Sequence, residues 1–515
     1  MRDDDGDYVH NGSASLWHAW QDRPGIRHVP SYHYEQAIFS GYSSAPLFRV
    51  QTLEQIIQAV AGNGLFVLCS DVLNEHEFPY AHSMIGDKNA TAYLSRAGNI
   101  PALRISYKRR SGFLVPSATW KWRQLPNREL VRGLVKLFTT FGYESTTPSS
   151  LSEKVLRATL PTPLGITRPS VWLRRDILDN HVGGRIDLAV PRWYKKVWEF
   201  DKIKAYPDKS RCVPSPFSGP VIRIKPRIDE LMAYPTGWWS VRLIAHSRVI
   251  APIQVDGRNP IEGEVIDKWL WTGEIQDCLE AGYTLIEIKR GYGFREMSDF
   301  MCRWVDLLWD KYQQTSDEWT REVIKAMMVG LPGRFLRQPE TYYLIPIEEA
   351  KSGDIPLMMH WKDSDDRKFS DYVIRAEYDK ESTALSYIGS YIVAEMRREL
   401  YHRMKEEVAH GFAIVRSYID CYSVADSQSY KRRDYVSRND RYVPGNDQDY
   451  RNIGSDIGQW KERTYTDVWA EENRFIGRGE DGFREMKAPG LEEGGDVRLA
   501  FWQKYYQIVQ SYPQP

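Results

Sequence analysis

Asp201-Lys-Ile-Lys-Ala-Tyr206-Pro207 is the stretch on which the reading of this chain turns. The run before it, Val197 to Phe200, has the apolar and aromatic make-up of a strand, so Asp201 stands at a strand end. A sheet holds such a carboxylate rigidly, and carboxylate oxygens are what hard divalent cations take as ligands. Tyr206 and Pro207 then turn the chain away. Just upstream, Gly183-Gly184-Arg185 is a turn, followed by a strand-like run from Ile186 to Val190. Downstream, Pro214, Pro216, Gly219 and Pro220 forbid a helix.

Farther out, residues 265–330 read as helix-rich. Helices are expected over Met297 to Tyr312 and Glu318 to Val329, with a sharp stop at Gly330-Leu-Pro-Gly333. The clearest helix starts at Ser382 or Thr383: Leu385, Ile388, Ile392, Met396, Leu400 and Met404 recur at three- and four-residue spacing, and Gly411 supplies the stop. Phe412 to Val424 then alternates as one strand with Asp420 inside it. Residues 427–455 are polar and read as a linker or long loop, and 456–515 form a small final unit with Trp460, Trp469 and Trp502. Toward the other end, Arg128 to Phe141 is an amphipathic helix, and Pro161 to Pro169 is a proline-rich connector suited to a domain boundary. Gly64 to Cys69 is a short buried strand, with a helix from Glu54 to Val60 before it.

A length of 515 residues leaves room for two to four domains. The 69 basic and 69 acidic residues cancel, so any basic surface for nucleic acid must be local. Five scattered cysteines form no CxxC pair, which argues against zinc and disulfide frameworks. The acidic start, Met1-Arg-Asp-Asp-Asp-Gly-Asp, has no apolar stretch behind it, so no secretory signal is expected. No run of about 18 apolar residues is present. The expected setting is cytoplasmic, with no membrane partner.

The order of these features resembles the family B DNA polymerases, and within them the protein-primed branch of phages, linear plasmids and related viruses. The family's first polymerase motif is an Asp, four residues, then Tyr-Pro, and here it reads Asp201 to Pro207. Its proline- and glycine-rich continuation reads Pro214-Ser-Pro-Phe-Ser-Gly-Pro220, and its glycine turn, Tyr-x-Gly-Gly, reads His181-Val-Gly183-Gly184. The second motif, Lys, three residues, Asn-Ser-x-Tyr-Gly, reads Lys325-Ala-Met-Met-Val-Gly-Leu-Pro-Gly333. Lys325 and Gly333 stay in register, Val329 replaces the Asn and Pro332 the Tyr. The third motif, Tyr-x-Asp-Thr-Asp-Ser after a long helix, reads Ser417-Tyr-Ile-Asp420-Cys-Tyr-Ser423 and keeps one Asp. We align Asp420 with the family's second Asp, which puts Tyr418 at the first and Cys421 at the serine. A rival register puts Asp426 there. Ile457-Gly-Gln-Trp460-Lys461 and Asn473-Arg-Phe475 are similar to the start of the family's thumb, with Asn473 and Phe475 where a Lys and a Tyr grip the primer.

The resemblance implies an α/β (α+β) right-hand polymerase fold with an antiparallel-sheet palm, helical fingers and a small thumb. The N-terminal domain would span 1–125, as a degenerate exonuclease, and a helical connector 126–180. The palm would occupy 181–264 and 336–426, the fingers 265–335, a loop 427–455 and the thumb-like unit 456–515. It also implies DNA-templated DNA synthesis with two Mg2+ or Mn2+ ions on Asp201 and Asp420. Partners would be DNA template and primer, deoxynucleoside triphosphates, and a terminal protein whose hydroxyl primes. Tyr206 would pack under the incoming sugar and exclude a 2′-hydroxyl. Arg321 and Lys325, one helical turn apart, would meet the triphosphate, with Gly333 in register. Gly183, Gly184, Arg185, Lys461, Asn473 and Phe475 would contact DNA. Lys202, Lys204, Arg223, Lys225 and Arg227 form a basic cluster suited to phosphates. Residues 1–190 contain no Asp-x-Glu, the opening of the family's exonuclease, so no proofreading is expected.

Other readings stay open. The lost Asp, Asn and Tyr also suit a polymerase-fold protein that binds DNA or a replication partner without catalysis. Asp71 with Glu75-His-Glu77 suits a nuclease. Taken alone, Asp201 to Pro207 is also a plain strand-end turn, Lys325 a solvated helix residue and 223–227 a solvated strand face.

Overall fold

A computed structural model describes residues 127–143, 147–160, 169–188, 192–336, 385–426 and 452–471 almost continuously, with separate strands elsewhere. The chain divides into two compact units, Met1–Pro161 with Asp306–Ala384, and Thr162–Val305 with Leu385–Pro515. The break between Pro161 and Thr162 falls inside the proline-rich connector.

The first unit opens with a mixed seven-stranded sheet from strands between Tyr8 and Pro116, in the spatial order first, third, second, fourth, seventh, sixth, fifth. Phe66–Cys69, the strand expected there, pairs antiparallel with Tyr34–Ala37 and parallel with Arg110–Pro116. The helix expected over 54–60, and Asp71, Glu75 and Glu77, lie outside the described residues. The helix Asn127–Phe141 buries Leu134, Leu137 and Phe138, as its periodicity predicts.

Pro148–Thr159 packs along Glu318–Phe335. Arg334 Nε donates to Glu153 at 2.9 Å, and a Cβ on Gly330 would stand 3.2 Å from Ser149 Cβ. The stop expected at Gly330 to Gly333 is corrected by this contact, because the helix continues through Pro332 to Phe335. An interior proline costs about 3 kcal/mol. Leu331 and Phe335 are both buried, and burying each is worth about 1.5–3 kcal/mol, so packing outweighs the proline.

A second seven-stranded sheet forms the base of the other unit. Its strands, in spatial order, are Arg484–Lys487, Arg474–Arg478, Trp460–Glu471, Arg192–Lys202, Cys421–Asp426, Phe412–Ile419 and Arg185–Leu188. Every neighbouring pair is antiparallel. Trp460–Glu471, expected in a separate final unit, thus lies in mid-sheet against Arg192–Lys202. The helix Ser386–Ala409 covers one face, where Met396, Leu400 and Met404 pack on Phe200, Tyr422, Val424 and Trp460. Gly411, with φ +86°, ends it as expected.

A four-stranded antiparallel sheet, in the order Val221–Ile224, Thr284–Phe294, Thr236–Ile244, Val265–Trp271, belongs to the same unit. Residues 265–330 read as helix-rich, yet over the stretch 265–294 only Thr272–Glu280 is helical. Cross-strand aromatic pairs explain the difference: Trp238 stacks on Trp269 at 5.8 Å and Trp269 on Tyr292 at 6.1 Å. The stretch expected as one fingers domain, 265–335, is therefore divided between the two units at Val305 and Asp306.

Candidate active site

Asp201 is the penultimate residue of Arg192–Lys202 and is half-buried. Its cross-strand neighbours are Cys421 on one side and Lys461 on the other. Opposed residues of antiparallel strands point to one face, so exposed Lys461 stands beside Asp201. Asp420 is not inside a strand, as expected, but in the turn between Phe412–Ile419 and Cys421–Asp426. The Asp420 N–H donates to the Tyr418 carbonyl at 2.7 Å across Ile419, whose φ is +62°. That is a γ-turn of the rare positive-φ kind, and a β-branched residue is strained there. The Lys202 N–H donates to the Asp420 carbonyl at 3.0 Å, so this turn abuts the strand end carrying Asp201.

Distance separates the two registers. Asp426 pairs with Phe412 at the far end of the hairpin. Five residues beyond Cys421, at about 3.3 Å each, place it about 17 Å along the strand. Tyr422, two residues after Asp420, faces the long helix, and its hydroxyl bonds Glu407 at 3.0 Å. Among the described residues no group of three or more His, Cys, Asp or Glu side chains gathers.

The glycine turn is built against the Asp420 turn. A Cβ on Gly184 would stand 3.0 Å from Ile419 Cγ2 and 3.1 Å from Ile419 Cα. The absence of a side chain at Gly184 thus lets its backbone approach the protein's own Asp420 turn. Gly183 is exposed and has open space around it. Arg185 requires a correction, because it is 2% exposed and not free to meet DNA. Its guanidinium is engaged by both oxygens of Asp187, reaches the Pro252 carbonyl at 3.4 Å and lies 5.9 Å over the Tyr401 ring. A buried cation needs such partners. Lys202 leaves the expected basic cluster for the same reason: it is 5% exposed and ion-paired with Glu399 and with Asp208 at 3.0 Å. Arg223, Lys225 and Arg227 remain exposed, with Arg227 bonded to Asp229.

Tyr206 sits in the short helix Ala205–Lys209. Burial pushes its phenol up to about 12; the negative charge of Asp420 adds to this and the positive charge of Arg397 opposes it. Tyr206 therefore shares a field with Asp420 and stays neutral at ordinary pH. In the first unit, Arg321, Lys325, Val329 and Gly333 form one exposed stripe along Glu318–Phe335. Arg321 lies 4.8 Å over the Tyr312 ring and Lys325 is 3.6 Å from Glu322. Asn473 lies outside the described residues, and Phe475 pairs through its backbone with Ala470 and Lys487.

Two features escaped the sequence reading. Glu199 is fully buried and bonded to Arg416 at 2.6 Å. Two-residue strand spacing puts it on the Asp201 face, a signal that was available. Arg397 bonds both Glu274 and the glycine turn. Nothing in helix periodicity distinguishes it from a solvated arginine.

Residues 139–410, more than half of the chain, match a family model described as DNA polymerase type B, organellar and viral. The match includes Asp201 and the 318–335 helix and ends ten residues before Asp420. Among curated proteins nothing matches. Among solved structures the chain is similar to Phi29 DNA polymerase in complex with primer-template DNA and incoming nucleotide, at TM-score 0.62 and 14% identity over 92% of this chain and 94% of that one. It is similar to the same enzyme with primer-template DNA alone, at TM-score 0.64 and 14% identity over the same shares, 92% and 94%. For the single-stranded DNA complex the values are 0.61 and 15%, again over 92% and 94%. At such identities these likenesses speak to the α/β polymerase fold.

Proposed function

The chain belongs to the organellar and viral type B DNA polymerases, DNA-directed DNA polymerases, and from that membership we propose that it extends DNA by two-metal nucleotidyl transfer on Asp201 and Asp420. One observation carries the assignment: the strand end of Asp201 and the turn of Asp420 meet, joined by the 3.0 Å bond from Lys202 N–H to the Asp420 carbonyl. Asp201 and Asp420 would hold two Mg2+ or Mn2+ ions, which supply activation of the primer hydroxyl and charge neutralisation on the triphosphate. Two carboxylates suit this donor set, since hard cations fill their shells with further oxygens from substrate and water.

The chain's own residues supply the rest. Tyr206 presents a neutral ring to the incoming sugar and excludes a 2′-hydroxyl. Arg321 and Lys325 on their exposed stripe, with Gly333 in line, bind the triphosphate. Lys461 beside Asp201, the exposed Gly183 turn, Asn473 and Phe475 contact primer and template. The substrates are a DNA template, a primer and deoxynucleoside triphosphates; a terminal-protein hydroxyl serves as a primer. The N-terminal domain does not proofread, because residues 1–190 lack Asp-x-Glu. The setting is the cytoplasm of a host cell.

Primer extension tests the proposal. The native chain should incorporate nucleotides with Mg2+ or Mn2+, and Asp201→Asn and Asp420→Asn should each lower the rate on the order of 10^4-fold, several kcal/mol. A fully active Asp420→Asn would sink the pairing. No incorporation with either metal on any primer would favour a polymerase-fold protein that binds DNA without catalysis.

A further inference from the structure

Arg397 stands where separate pieces of the second unit meet. From the helix Ser386–Ala409 its Nη1 donates to the Val182 carbonyl and to the Gly183 carbonyl at 2.9 Å. Its Nε and Nη2 donate to Glu274 at 3.1 and 2.7 Å. The two side chains are 12% and 5% exposed, so water screens the pair little. Glu274 is fixed in turn by the Trp271 N–H at 3.1 Å. The loop gripped by Arg397 leads straight into Gly184, which seats against Ile419 and hence against the Asp420 turn.

Resting on the reading that Asp420 holds a metal, we propose that Arg397 is a positioning residue for polymerisation. Anchored on Glu274, it pins the Val182 and Gly183 carbonyls, and through Gly184 and Ile419 it fixes the turn that presents Asp420 to a divalent cation. The turn needs this support. A β-branched residue at positive φ is strained and persists only where its surroundings over-determine it. The Lys202 N–H holds the turn from one side and Gly184 from the other. An arginine is required because a planar fork reaches two carbonyls and a carboxylate at once, which a lysine ammonium does not. Burial dominates the ionisation of Tyr206 and of His181, and the charge of Arg397 acts on both, which places the guanidinium within the same field.

Mn2+ binding to the full-length chain, read from the free-ion electron paramagnetic resonance signal, tests this without requiring turnover. The native chain should bind Mn2+, and Asp420→Asn should lose it; if the native chain binds none, the metal reading itself fails and takes the proposal with it. With native binding in hand, Arg397→Lys keeps the charge and loses the fork. It should weaken Mn2+ roughly tenfold, as loss of a ligand-orienting partner does, while melting stays cooperative. Gly184→Ala should weaken Mn2+ as well, and the two changes together should weaken it by less than the product of their separate effects. Native affinity in Arg397→Lys, or tighter binding in Arg397→Ala, would overturn the proposal, since removing a mere neighbouring charge strengthens cation binding. Where Arg397→Ala does not fold, the lysine and glycine variants carry the test.

Discussion

Asp201 stands on a central strand with hydrogen-bonded ladders on both sides, whereas Asp420 stands in a tight turn over a positive-φ isoleucine. The first position follows from a strand pattern that any sheet of this kind would hold. The second depends on residues distant in sequence: Gly184 against Ile419, Arg397 on the glycine loop and Lys202 N–H on the Asp420 carbonyl. The contrast teaches that of two residues in one proposed site, one is placed by main-chain regularity and the other by tertiary contact.

The largest way to break the contrast acts on the ladder side. Glu199 is fully buried two residues before Asp201, and Arg416 reaches it from the first strand of the Asp420 hairpin. Arg416→Met leaves that carboxylate buried without its 2.6 Å partner, while the half-exposed Arg463 lies 4.0 Å away. The expected loss is about 3–5 kcal/mol in urea unfolding. Arg242→Ala, which removes one of the two cations paired with the exposed Asp267, should cost far less. Equal costs for the two would mean that the buried pair does not anchor the ladder.

A middle-sized effect sharpens the turn side. Gly184→Ala drives a Cβ to 3.1 Å from the Ile419 Cα, and backbone cannot yield as a flexible side chain can. The expected cost is about 1–3 kcal/mol. Gly183→Ala, which meets open space, should change stability by no more than about 0.5 kcal/mol. Comparable melting for the two variants would show that the turn tolerates displacement.

The smallest effect is a pH dependence at the same loop. Burial, then the charge of Arg397, hold the His181 imidazole down at about 4 from its ordinary 6.5, with Glu274 opposing them. The folded state thus binds this proton less tightly than the unfolded chain does. Stability from the neutral ring is complete above pH 6.5 and is lost as pH falls toward 4. Melting temperature should fall less between pH 7 and pH 4.5 in His181→Gln than in the native chain. Identical slopes would remove His181 from the acid limb.

Much of this architecture was legible locally. Asp201 at a strand end, the helix before Gly411 and the amphipathic helix ending at Phe141 all rest on short-range periodicity and turn chemistry. The errors have a common cause. Residues 265–330 read as helix-rich because the strand character of Val265–Trp271 and Thr284–Phe294 depends on stacking among Trp238, Trp269 and Tyr292 on three different strands. The helix stop at Gly330 failed because Ser149 and Glu153 pack where sequence shows only Gly and Pro. Arg185 and Lys202 read as free cations because their acceptors, Asp187 and Glu399, declare themselves only through side-chain direction and packing.

By itself the sequence determined that an aspartate would end a strand ahead of a Tyr-Pro turn, and that a second would follow a long helix, because spacing and turn residues act over a few neighbours. Only the tertiary structure decided that Asp420 sits in a strained turn, that Asp426 lies about 17 Å away from the Asp201 end, that Gly184 packs on that turn and that Arg397 bonds the glycine loop. These outcomes rest on pairing register and on buried contacts between segments up to about 230 residues apart, which no local pattern encodes.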